Sequence, residues 1–257
     1  MLKVSSDNIA SGVATVTWNP VTGCNYGCTY CFIPRYLKPI LGPKGFKASF
    51  KPRLNEVEFT KEFKEGDFVF VTDLGDMFND LVPREWILRV LAFIKRFPKT
   101  TFSLHSRNPS RFHEFDFSDF PNIYLGTTIE TNRNYPVCSA PEPYFRMLAL
   151  EAIPHNKKHL SLSPILDFDL DELVSWVERI GPETVEIGVD AYNDNLPEPS
   201  WDKVEALLYR LRQICPRVIE KNDLTVLKEA VRPEYVPSCQ RQLLSDFYIP
   251  ADILPLV

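Results

Sequence analysis

The 257-residue chain contains no apolar run approaching the roughly 20 residues that cross a bilayer, so no membrane segment is expected. Its opening, MLKVSSDNIASG, lacks a cationic stretch followed by an apolar one, and no secretory signal is expected either. Positive charge is not in excess: Lys+Arg 29 against Asp+Glu 34 gives a formal net charge of −5. That balance argues against a protein whose whole surface grips nucleic acid, because phosphate binding relies on concentrated Lys and Arg. A local basic groove is still compatible with it. Arg35, Lys38, Lys44, Lys47, Lys51 and Arg53 follow one another with no acidic residue between them, and they read either as a solvated loop or as a polyanion-binding stretch. A disulfide framework is also missing. Of six cysteines, three fall within eight residues, and clustered thiols are more often metal ligands than bridges. The composition is that of a soluble protein of a reducing cytoplasm.

What is present is an ordinary globular balance, 44% apolar and 25% charged. The 22 prolines are dispersed, often beside strand ends, and act as loop punctuation. Short β-branched runs alternate with helical patterns. The runs are Ala14–Trp18, Asp67–Thr72, Thr101–His105, Asn122–Ile129, His159–Ser163, Thr184–Val189 and a shorter seventh, Arg217–Glu220. Helices are predicted over Pro83–Phe97, Glu142–Ile153, Leu170–Ile180 and Trp201–Ile214, where apolar residues recur at helical spacing. Strands alternating with helices imply right-handed βαβ units and a parallel sheet. Six or so units predict an α/β fold, a partial (β/α)6 TIM-like barrel with parallel strands. Residues 1–257 are read as one domain, with a loop at 18–36 and a short C-terminal extension at about 224–257. In such folds the chemistry gathers at the carboxyl ends of the strands.

The first strand leads into Trp18-Asn19-Pro20-Val21-Thr22-Gly23-Cys24-Asn25-Tyr26-Gly27-Cys28-Thr29-Tyr30-Cys31. Three thiolates at C-x3-C-x2-C spacing can anchor three irons of a 4Fe-4S cluster and leave the fourth without a protein ligand. Gly23 and Gly27 permit tight turns around it. A structural zinc site would need a fourth Cys or His nearby, and the next histidine is His105. Cys138, Cys215 and Cys239 are scattered and read as small buried apolar residues.

This spacing, with Tyr30 just before the last cysteine, resembles the signature of the radical S-adenosylmethionine (SAM) superfamily. The resemblance implies that SAM's amino and carboxylate groups complete the fourth iron, and that residues past the later strands bind the rest of SAM. The second run ends Thr72-Asp73-Leu74-Gly75-Asp76-Met77, where either Asp73 or Asp76 can accept from SAM's ammonium, beside Gly75. Asp76 reads equally well as a helix cap. Past the fourth run, Glu130 is the candidate for the ribose hydroxyls; past the fifth, Ser163 shares a face with Ser161. Tyr30 joins the cofactor-binding set. Arg107 after the third run and Lys221 after the seventh are candidates for substrate, Arg107 being equally readable as an exposed salt-bridge partner.

Further segments resemble an uncharacterised radical-SAM-like family common in phages, prophages and their hosts. That family has a Trp-Asn-Pro-x-Thr-Gly-Cys opening, matched at Trp18 to Cys24. Asp76-Met77-Phe78, Val82-Pro83, Leu125 to Glu130 and Leu162-Ser163-Pro164 also correspond, the last without the family's glutamate. Spore photoproduct lyases and their relatives are similar, more distantly, through the cysteine loop. The resemblance implies an enzyme in which a reduced cluster cleaves SAM to a 5'-deoxyadenosyl radical that abstracts hydrogen from a substrate, with electrons from an external flavodoxin- or ferredoxin-type donor. A nucleic-acid base or nucleotide is the first substrate class, a peptide or small metabolite the second. The contrasting reading is a non-catalytic metal-binding module that engages a partner.

Overall fold

The structure, a computed structural model, describes residues 14–35, Lys38 and 50–230. Lys44, Lys47, Cys239, the first 13 residues and the extension beyond Ala230 lie outside the described residues.

Among the described residues there are nine strands: β1 Val16–Trp18, β2 Val21–Thr22, β3 Arg53–Leu54, β4 Phe68–Val71, β5 Thr101–His105, β6 Ile123–Thr128, β7 Lys158–Leu162, β8 Thr184–Ile187 and β9 Arg217–Glu220. Helices α1 Arg84–Ile94, α2 Pro143–Glu151, α3 Leu170–Ile180, α4 Trp201–Ile214 and α5 Leu224–Ala230 lie between and after them. Seven strands form one sheet in the order β1-β4-β5-β6-β7-β8-β9, and every pairing in it is parallel. The result is a curled half-barrel, the partial TIM-like barrel expected. All seven apolar runs are members, including the short last one. The connection from β5 to β6 is a 3-10 turn, Pro109–Glu114, in place of an α-helix. β2 and β3 make a separate antiparallel pair that fastens the loop after β1 to the chain near Arg53. None of the described helices is long and apolar enough to cross a membrane.

Strand alternation divides the sheet into two unlike faces. Val69, Val71, Phe102, Leu104, Ile123, Leu125, Leu160, Leu162, Val185 and Ile187 are buried in the core shared with the helices. α3 shows how the sequence dictates such packing. Leu173, Val174, Trp176, Val177 and Ile180 are buried, and Gly181 in the left-handed region (φ 61°) ends the helix with its N–H on the Val177 carbonyl. The other face is mixed: Phe68, Phe70 and Tyr124 line its β4–β6 part, and a polar patch lies beside them. His105, Thr128, His159, Ser161 and Glu186 meet there: His105 Nε2 lies 2.9 Å from Thr128 Oγ1, and Ser161 donates to Glu186 at 2.7 Å. Gly126 stands between the two imidazoles, whose rings are 5.9 Å apart. A Cβ at Gly126 would fall 2.8 Å from His105 Nδ1.

Trp18 closes β1 and is wholly buried. Phe93 lies 5.0 Å from it, Phe63 5.5 Å, Phe59 6.0 Å and Phe102 6.1 Å, between ring centroids. Its indole N–H donates to the Glu58 carbonyl at 3.0 Å, so the ring loses no hydrogen bond by burial. Replacing a fully buried aromatic leaves a cavity and costs about 3–5 kcal/mol. Trp18→Ala is therefore expected to lower unfolding stability by that amount in a urea titration. A change below about 1 kcal/mol would show that the β1 end is not held by this cluster.

Candidate active site

The cysteine loop leaves β1 at the carboxyl end of the sheet and is held there mostly by backbone contacts. Asn19 Oδ1 accepts from the N–H groups of Asp73 and Leu74, at 3.1 and 3.0 Å. Gly23 N donates to Leu74 O at 2.9 Å and Asp76 N to Gly23 O at 3.3 Å, forming a parallel bridge between Gly23 and Gly75. Only glycines allow this approach. A Cβ on Gly75 would lie 2.7 Å from the Gly23 carbonyl oxygen, and one on Gly23 (φ +92°) 2.3 Å from the Lys51 carbonyl oxygen. The Trp-Asn-Pro-x-Thr-Gly-Cys segment thus serves to clamp the loop to the turn after β4.

Past β6, Glu130 is fully buried and is the centre of an ionic cluster. Arg146 from α2 donates to its Oε2 at 2.8 Å. Arg107, from the end of β5, and the Tyr30 hydroxyl both reach its Oε1. Arg107 also lies over the Tyr30 ring, 5.0 Å from the centroid, a cation–π contact. Burial raises the carboxyl's pKa, but the charges of Arg146 and Arg107 outweigh it and hold Glu130 near 2. Oε1 is shared by Tyr30, Arg107 and Arg146 and Oε2 is bound by Arg146, so both oxygens are engaged inside the cluster. Arg107 is salt-bridged but not exposed on the surface, its side chain keeping only 18% of its accessibility.

The two aspartates after β4 differ sharply. Asp76 accepts from Ser106 Oγ at 2.7 Å and Arg107 N at 2.8 Å, and from Phe78 N at 3.0 Å. It ties the β4 turn to the β5 turn and does not cap α1, whose cap position is Pro83. Asp73 Oδ1 is buried with no hydrogen-bond partner, and burial pushes its carboxyl up. On the far side of the rim Lys221 Nζ donates to Ser163 Oγ at 3.2 Å. Two residues read separately from the sequence are here one site. Gly188 makes room for them: a Cβ there would meet Ser163 Oγ at 2.6 Å and Lys221 at 2.8 Å.

Cys24, Cys28 and Cys31 carry free, partly buried thiols. The Tyr26 N–H points at Cys24 Sγ from 3.5 Å, and Asn79 Nδ2 lies 3.9 Å from the same sulfur. Cys31 packs with Phe32, Ile33, Phe50 and Leu74. Burial pushes Cys24 up to about 12 and raises Cys31 too; at Cys28 a hydrogen bond with Cys138, then burial, has the same effect. The Arg107 charge opposes the rise at all three. Cys138 is brought down to about 6, chiefly by its bond with Cys28. Among the described residues, no three His, Cys, Asp or Glu side chains crowd together as ligands of one ion. A cluster in which each thiolate takes a different iron does not ask for that crowding.

Four functional-looking residues escaped the sequence reading: Arg146, Cys138, Asn79 and Asn19. Arg146 left one signal, a cation within the buried stripe of α2 beside Met147 and Leu150, which requires a buried carboxylate. The basic stretch is partly spent, since Arg35 pairs with Asp194 and lies 5.0 Å over the Tyr192 ring. Lys38, Lys51 and Arg53 are exposed.

Residues 12–184 match a family described as protein of unknown function (DUF5131). The chain belongs to this family. No curated protein matches it. Among solved structures it is similar to a spore photoproduct lyase mutant at TM-score 0.55 and 14% identity, covering 86% of this chain and 79% of that one. A spore photoproduct lyase complexed with dinucleoside spore photoproduct matches at TM-score 0.54 and 13% identity, with the same coverages. A mutant with bound AdoMet and dinucleoside spore photoproduct matches at 0.51 and 15%, covering 82% of this chain and 64% of that one. At these identities what is shared is the fold.

Breaking a buried ion pair from one side costs about 3–5 kcal/mol, and Glu130→Gln is expected to destabilise the protein by that much in urea. Because Glu130's pKa falls from 4.5 to about 2 on folding, its contribution is complete above about pH 4.5 and is lost as pH falls toward 2. Unfolding midpoints measured from pH 6 to pH 2 should converge for wild type and variant. A constant gap across that range would rule this linkage out.

Proposed function

We propose that this chain is a radical SAM enzyme, with Cys24, Cys28 and Cys31 as the protein ligands of a 4Fe-4S cluster. The observation that carries the reading is the place of the C-x3-C-x2-C loop: immediately past the first strand of a parallel half-barrel, beside a cation and an unpartnered carboxylate oxygen. Three soft thiolates suit iron, and Asp73's buried, unsatisfied oxygen suits an ammonium group such as SAM's. The fold shared with a structure that holds AdoMet supports the same assignment. The chemistry such a cluster supplies with SAM bound is one-electron cleavage of the sulfonium, giving methionine and a deoxyadenosyl radical that takes hydrogen from an unreactive carbon.

The chain's own residues divide the remaining work. Asp73 accepts the ammonium protons. Gly75 and Asp76 fix the turn that presents it, so their part is to shape the backbone. Arg107 places positive charge beside the thiolates, and Glu130 with Arg146 holds it in register over Tyr30; Glu130 is thus a positioning residue and leaves the ribose to other groups. Ser163 and Lys221 offer a hydroxyl and an ammonium to the nucleoside or substrate. The half-barrel and the packed loop exclude water from the reacting centre. An external one-electron donor of flavodoxin or ferredoxin type supplies the reducing equivalents. For the substrate we propose a nucleic-acid base or nucleotide, supported by the dinucleoside in the similar structures and by the exposed cations Lys38, Lys51 and Arg53.

Anaerobic reconstitution with iron and sulfide is expected to give a brown protein that converts SAM to deoxyadenosine and methionine under dithionite. A colourless protein with one tightly held zinc would overturn the assignment. Cys28→Ala should lose the iron, whereas Cys215→Ala should keep it, because Cys215 sits at the opposite end of the sheet with its thiol on the Pro182 and Arg217 carbonyls. Asp73→Asn should weaken SAM binding about 10- to 100-fold, the loss expected for a charged hydrogen bond, without changing the cluster's absorbance. Unaltered SAM affinity would remove Asp73 from the site.

A further inference from the structure

Cys138 is not explained by the proposed cluster, yet it is the residue most closely engaged with one of its ligands. Two backbone segments run antiparallel past each other at this point. Thr29 N donates to Val137 O at 2.8 Å, and both the N–H and the hydroxyl of Ser139 donate to Tyr26 O at 2.8 Å. These bonds hold residues 26–29 against 137–139 and so bring Cys28 beside Cys138. A disulfide asks for Cβ atoms about 3.5–4.5 Å apart, a short step for two segments already joined by backbone hydrogen bonds. The two thiols influence one another: each is the largest cause of the other's shift, raising Cys28 and lowering Cys138. Both are free and half-buried. The other two loop thiols face elsewhere, Cys24 toward the Tyr26 N–H and Asn79, Cys31 into its apolar pocket.

We propose that Cys28 and Cys138 are a modification site that closes to an intramolecular disulfide when low-molecular-weight disulfides accumulate. One thiolate attacks a sulfur of the oxidant RSSR and expels one RSH; the second thiolate then displaces the other RSH, forming the Cys28–Cys138 bond. The pair loses two electrons and two protons, and the oxidant gains both. The anchoring hydrogen bonds on either side hold the partners together, so closure needs only side-chain rotation and a small approach of the two segments. A sulfur committed to Cys138 cannot bind iron. The disulfide therefore caps one cluster ligand and shields it from irreversible oxidation, and a dithiol reductant reopens it. The bond itself requires nothing of the cluster; its effect on iron loading rests on the radical SAM reading.

The test is anaerobic treatment of the iron-free full-length chain with oxidised glutathione, followed by alkylation and non-reducing peptide mapping. Two thiols should become unreactive, in a cross-link that joins Cys28 to Cys138 and opens with dithiothreitol. The doubly substituted C24S/C31S protein should form the same link, and Cys138→Ser or Cys138→Ala should not. Reconstitution after glutathione disulfide should load several-fold less iron in wild type than in Cys138→Ser, with the two equal once reduced. Glutathione adducts alone, a Cys28 link to Cys24 or Cys31, or six freely alkylated thiols would each overturn the proposal. A Cys28–Cys138 link in a protein that takes up no iron even when reduced would uphold the disulfide and remove the cluster.

Discussion

A carboxylate with no solvent exposure survives in a protein interior only if cations and donors come to it. Glu130 meets that requirement with Arg146 from α2, Arg107 from the β5 end and Tyr30 from the cysteine loop. Three segments distant in sequence are thereby obliged to converge on one side chain. The consequence for chemistry is indirect: the guanidinium of Arg107 is fixed above Tyr30 and near every loop thiol. Its charge opposes, without reversing, the upward push on the three thiols. The ion cluster orients the loop, while Asp73 keeps a buried oxygen with no partner.

Around that hub the loop is shaped by main-chain contacts whose tolerance for side chains is nearly nil. Gly23 and Gly75 lie back to back, and Asn19 satisfies two N–H groups of the β4 turn. Asp76 accepts one hydroxyl and one N–H from the turn after β5. Each polar group so used is removed from the pool available to a ligand. What remains unsatisfied, Asp73 above all, is correspondingly informative.

Local pattern and short-range spacing made much of this legible in the sequence. Thr101–His105, Leu170–Ile180, Trp201–Ile214 and Arg217–Glu220 form over those spans, because the apolar period there matches the element that forms. The loop's position after a first strand was equally readable. Not readable was which polar residue would meet which. Asp76 looks like a ligand or a cap until Ser106 is seen beside it, 30 residues on. Glu130 looks like a rim carboxylate until Arg146 is placed on the inward side of α2. Cys138 looked like filler because its partner lies over a hundred residues earlier. Long-range pairing of polar groups carries no periodicity, and periodicity is what a single sequence displays.

The cysteine loop stands near the amino terminus, but its fastenings are spread along the chain. Glu58 receives the Trp18 indole N–H, Gly75 faces Gly23, Glu130 receives the Tyr30 hydroxyl, and Ser139 binds Tyr26 from 113 residues downstream. Closing so long a loop costs entropy that only the assembled half-barrel offsets. During synthesis, the loop's thiols are therefore made more than a hundred residues before the last segment that fastens them. The loop stays open at least until the chain has been made past Ser139, whose hydroxyl binds the Tyr26 carbonyl.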